Sequence, residues 1–190
     1  MIDPFVRLRE EREHYYDQED LSPRPASMSR TEICMVMEIE HANNAGYVHG
    51  GTIMRLVDTA AGIAAGRHSR RRVVTAAMDD MTFMAPVYIG DMLRVRATVN
   101  DAHRTSMEVG VRVDVETLPT GESRQVSSAH LVFVALDQNG RPTPCAPVVA
   151  ESENEKRRQA QARVRRDQRL LRKAALSEAA ASRPGDAETG

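Results

Sequence analysis

A chain of 190 residues, 41% hydrophobic and 28% charged, suffices for one domain with a sizeable core and some chain to spare. Twenty-six basic against 27 acidic side chains leave a formal charge of −1, so no charge excess points to nucleic acid, a membrane surface or a polyanionic partner. Cys34 and Cys145 share no CxxC spacing, which argues against a disulfide framework and a structural zinc site.

The first twenty residues are acidic where a signal peptide would be basic and then apolar. No run approaches the roughly 20 apolar residues of a spanning helix. A cytoplasmic protein with no membrane insertion is expected. Residues 1–25 are read as an N-terminal extension, 26–148 as the domain, and 149–190 as a charged helical tail with a disordered end.

The first strand falls at 32–40, where Ile33, Met35, Met37 and Ile39 share one side. A loop, Asn43 to Gly51, leads into 50–68, which lacks alternation. There Ile53, Leu56, Val57, Ala60, Ala61, Ala64 and Ala65 cover most of a helical wheel and predict a buried helix. Strands follow at 73–83, 92–100, 105–117 and 124–136. In 105–117, Met107, Val109, Val111, Val113 and Val115 alternate with polar residues, predicting one buried and one wet face. Turns at 118–122 and 137–140 make the later joints hairpins, hence antiparallel. The economical way to bury such a helix is an antiparallel sheet wrapped around it, an α+β architecture.

Asp58 is the only acid between Gly50 and Gly66. A buried carboxylate costs several kcal/mol, roughly, unless paired. One reading is a structural ion pair with Arg55 at i−3. The other is a carboxylate opening into a cleft to activate water. Gly50 and Gly51 either only permit a tight turn or let a ligand reach the unpaired N–H groups and positive dipole end of the helix, where an oxyanion would be stabilised. Seven residues separate Gly51 from Asp58, about 10 Å along the axis. If both act on one carbon, two antiparallel copies must each supply one group, which predicts a two-fold dimer. Six histidines include no HxH or HExxH, so no metal is predicted, and no GxSxG marks a serine triad. Arg70-Arg71-Arg72 reads as a solvated loop or a phosphate contact.

Asn43, Gly46, His49-Gly50-Gly51, Asp58, Arg67-His68 and the blocks at 73–91, 104–113 and 133–142 resemble the hotdog-fold acyl-CoA thioesterases, nearest the cytosolic long-chain and small bacterial acyl-CoA hydrolases. The likeness runs from about 26 to 145. It implies hydrolysis of acyl-CoA without a cofactor. Asp58 would be general base or nucleophile, Asn43 from the other subunit would orient water or the thioester, and the Gly51 N–H would polarise the carbonyl. Gly50, His49, Gly46 and Ser106 would contact substrate. It also implies homodimers and trimers of dimers, hence a hexamer. An acid that commonly follows the helix aspartate is here Thr59. The rivals are a non-catalytic acyl-CoA-binding hotdog and a hotdog dehydratase or hydratase.

The tail from 153 to 176 is made of helix formers, with nine basic residues between Lys156 and Lys173 and one acid, Asp167. It reads as a solvated or surface-packed helix that helps assembly. Nucleic acid is not adopted as a partner, because the segment has no aromatic to stack on a base.

Overall fold

The computed structural model describes residues 20–181. Five strands form one antiparallel sheet: β1 (Thr31–Val36), β2 (Arg72–Phe83), β3 (Met92–Ala102), β4 (Ser106–Thr117) and β5 (Glu122–Leu136). Their spatial order is β1-β3-β4-β5-β2. The sheet curls around α1 (Gly50–Ser69), whose buried face is Ile53, Leu56, Val57, Ala60, Ala61, Ala64 and Ala65. Four alanines on that face let the helix approach the strands closely, and the inward residues Val95, Val99, Val109, Val113 and Leu131 pack on it at zero exposure. Arg70 closes α1 in the left-handed conformation, φ 52°, and its N–H bonds to Gly66 O.

A second helix, α2 (Glu153–Ala181), lies on the opposite face of the sheet. That corrects the expectation of a wet outer face. Asn100, Asp101, Glu108 and Asp114 all point away from α1, yet each is at most 5% exposed. α2 covers the first three, and Arg96 and Arg112 clamp Asp114. Burial works to raise the Asp114 carboxyl, but the two guanidinium partners outweigh it and hold it below its ordinary value.

The first strand is also shorter than the alternation suggests, ending at Val36. Glu38 and His41 form a reciprocal cap on a 3-10 turn, Ile39–His41, which turns Ile39 out to solvent at 80% exposure. Arg24–Pro25 pairs in parallel with Val148–Val149, and the buried Arg24 donates to the His68 carbonyl at the end of α1. The expected disordered end, from 183, and residues 1–19 lie outside the described residues.

Candidate active site

Asp58 projects from the middle of α1 and is half-buried. Its Oδ1 accepts a hydrogen bond from Thr75 Oγ1 at 2.7 Å. The alternative partner, Arg55, is exposed and makes no ion pair with it. Among the described residues no other donor reaches the carboxylate. One oxygen is therefore anchored and the other is available to accept a proton. Thr75 stands on the α1 side of β2, opposite Phe133 of β5. The motif reading did not single it out, although a hydroxyl on the inward face of an apolar strand was a signal.

Upstream, residues 43–47 form a tight turn with Gly46 at φ +83°, a conformation that favours glycine. Asn43 holds it: its Oδ1 accepts from the N–H groups of Ala45 (2.8 Å) and Tyr47 (3.1 Å). The oxygen is thus committed to the loop, and what Asn43 offers outward is its NH2. The turn rests on Tyr88 through a backbone bridge and an edge-to-face pair of Tyr47 and Tyr88, centroids 5.5 Å apart.

His49 is the N-cap of α1, and its Nδ1 accepts from the Gly51 N–H at 2.9 Å. A Cβ on Gly51 would lie 3.0 Å from that nitrogen, so the imidazole folds over the helix end because residue 51 has no side chain. The Phe83 ring covers the Gly50 side; a Cβ there would meet it at 3.6 Å. The Gly51 donor singled out from the sequence therefore exists, but in this chain His49 occupies it.

Gly51 and Asp58 are nearly two turns apart and share one face of α1, separated by about 10 Å along the axis. Asn43, Gly46, His49, Gly50 and Gly51 gather at the helix start, and Asp58 stands apart from them with Thr75. Ser106 is not brought to this group. Its neighbour Met107 points into the core, so Ser106 faces the other side of the sheet. Around the site Met54, Met78, Phe83 and Met84 are exposed apolar side chains, and among the described residues β2 is paired on one edge only. A long edge strand beside such a surface calls for a cover. Among the described residues no three His, Cys, Asp or Glu side chains gather as a metal site, and no helix is long and apolar enough to cross a membrane.

A sheet wrapped around one helix, with a carboxylate on that helix and paired glycines at its start, defines the hotdog class. A family model described as the thioesterase superfamily matches residues 45–121. The acyl-CoA thioester hydrolase YkhA of Bacillus subtilis, itself described as uncharacterized, is 42% identical over 60% of this chain and 66% of its own length. The cytosolic acyl coenzyme A thioester hydrolase of Rattus norvegicus is 31% identical over 73% of this chain but only 37% of its own. This chain thus spans less than two thirds of either. An apo-hexameric acyl-CoA thioesterase superposes with a TM-score of 0.77 at 34% identity, over 80% of this chain and 98% of that one. An acyl-CoA hydrolase from Staphylococcus aureus, in complex with butyryl coenzyme A and coenzyme A, gives 0.77 at 30% identity, over 83% and 96%. That hydrolase was also solved with an aspartate, an asparagine or a threonine replaced by alanine. The chain belongs to the thioesterase superfamily, among its hotdog-fold acyl-CoA hydrolases.

Proposed function

We propose that this protein hydrolyses acyl-CoA thioesters to a free acid and CoA, with Asp58 as the general base. The observation that carries the reading is the Asp58–Thr75 hydrogen bond, which leaves one carboxylate oxygen for water. The spacing supports it. The asparagine, aspartate and threonine replaced in the Staphylococcus aureus hydrolase follow one another at intervals of 15 and 17 residues, the intervals from Asn43 to Asp58 and from Asp58 to Thr75. Asp58 takes a proton from water as its oxygen bonds to the thioester carbon. The carbonyl oxygen becomes an oxyanion at the Gly51 N–H, displacing His49 Nδ1, with Gly50 and the positive helix end beside it. Collapse breaks the C–S bond, and the CoA thiolate leaves with the proton Asp58 held.

Because Gly51 and Asp58 are about 10 Å apart along one helix, each site takes Asp58 from one subunit and the helix start, with the Asn43 NH2, from another. The unpaired β2 edge supplies the seam between them, and a hexamer built of three such dimers accords with the hexameric relative. The cytosolic relative supports a cytoplasmic location. The test is free-thiol release from short, medium and long acyl-CoAs by the purified protein and by Asp58→Ala. Chain-dependent release, cut about 100-fold or more in the variant with its assembly intact, is expected. Binding of acyl-CoA without release from any of them overturns the reading in favour of a binding module.

A further inference from the structure

α2 crosses the whole outer face of the sheet and does not stop at its edge. Its contacts run in order across the strands. Glu155 pairs with Arg30, next to β1; Gln159 and Arg163 reach Asp101 of β3; Arg165 forks onto Glu108 of β4; and Arg169 binds Asp79 of β2. From residue 155 to 169 the helix advances about 21 Å, which matches the roughly 19 Å width of five strands. Arg169 therefore stands over the last strand this subunit has.

Twelve more helical residues follow, 170–181, about 18 Å or nearly four strand spacings. Every described side chain from 170 to 179 is exposed, including Leu170, Leu171 and Leu176. Among the described residues no acid pairs with Arg172 or Lys173, on the side facing β2. Between this overhang and β2 runs a crevice of about 580 Å³, with Ala77 and Asp80 below and Arg172, Lys173 and Leu176 above. Among the described residues β2 and β1 are the two edge strands, and β2, twelve residues against six, is the longer. An apolar and basic helix end held beyond a bare strand is continuous with the seam inferred above. A second copy would bring there its own Asp80, a carboxylate whose side chain is 56% exposed and which pairs with His130 and not with α2.

We propose that residues 170–181 dock across the β2 seam on the outer sheet face of a second copy of this chain, so that each subunit straps the other. This rests on the reading of β2 as the dimer seam. The two overhangs pass antiparallel about the two-fold axis. Arg172 and Lys173 meet the second copy's Asp80, and Leu171 and Leu176 lose their exposure.

The test compares the full chain, the Leu171→Glu/Leu176→Glu double variant and a chain ending at Arg169. Sedimentation gives the dissociation constant, and hydrogen exchange gives the protection of 170–181. The strap predicts dissociation at least 10-fold easier in both altered chains with unchanged circular dichroism, and amides of 170–181 at least 10-fold slower to exchange in the assembled full chain than in the double variant. An intact assembly that associates equally in all three forms, with the same exchange of 170–181 in the full chain and the double variant, overturns the strap alone. A full chain that stays monomeric at every concentration overturns the seam as well.

Discussion

The two faces of the one sheet are held by different physics. On the inner face Val95, Val109 and Leu131 meet the alanines of α1, and stabilisation comes from non-directional apolar burial. On the outer face Asp101, Glu108 and Asp114 are as deeply buried, and each carries an arginine. On this face each buried carboxylate is supplied with a cation, whereas Asp91, buried at the turn before β3, accepts from the Tyr88 N–H and the Thr117 hydroxyl. Asp58, on the apolar side, receives only a threonine hydroxyl. The contrast sets Asp58, half-buried and without a cation, apart from the outer-face carboxylates that hold the architecture.

The largest effect that would break this comparison lies on the outer face. Glu108, 4% exposed, accepts from Arg165 Nε and Nη2 and from Asn100 Nδ2 at 3.1 Å. Arg165→Met leaves it buried with one neutral donor, so urea unfolding should show a loss of about 3–5 kcal/mol. Adding Glu108→Gln should restore most of that, because the cost is the stranded charge and not the missing contact. A loss under about 1 kcal/mol in the single variant would make the outer face a solvated surface after all.

That face was also the one the sequence concealed. Val109 and Leu131 announce themselves because alternation is local, and α1 because its apolar residues surround the wheel. Arg165 and Glu108 lie 57 residues apart and Arg169 and Asp79 lie 90 apart, so neither pair leaves a mark within any window. Alternation alone ran the first strand on through Ile39, because the Glu38–His41 cap competes with the strand only in three dimensions. The site divides likewise. Asp58 was legible as a lone acid in an apolar helix, and the glycines as a helix start. Its partner Thr75 comes from another element, and the His49 cap on Gly51 depends on a rotamer.

A smaller effect sharpens the role of that partner. Thr75 touches Asp58, and in the proposed mechanism it positions that carboxylate without meeting a reacting atom. Thr75→Ala should lower kcat about 10-fold, roughly 1.4 kcal/mol, with KM little changed and the unfolding midpoint near that of the parent. Thr75→Ser keeps the hydroxyl and should recover most of the rate. Equal losses in both variants would mean that the methyl group and its packing matter, and that Asp58 is oriented by something else.

The smallest effect tests whether the inner side tolerates a polar group only when it is uncharged. His68, at the end of α1, has no exposure; its Nε2 bonds to Ala146 O at 2.9 Å and its Nδ1 has no partner. Burial pushes its pKa below the ordinary 6.5, and Arg24 adds to that, against the bond to Ala146. His103 is lowered too, first by burial and then by Arg166. The sign follows. As pH falls below about 6.5 the unfolded chain takes up protons that the folded chain refuses, so stability present above 6.5 is lost on the way down to the folded-state values. Each histidine contributes a slope of at most about 1.4 kcal/mol per pH unit within that window. His68→Gln, whose amide can still donate to Ala146 O, should flatten the dependence between pH 5 and 7 in urea unfolding while leaving the His103 part. An unchanged slope would place the proton-refusing group elsewhere and remove His68 from the comparison with Asp58.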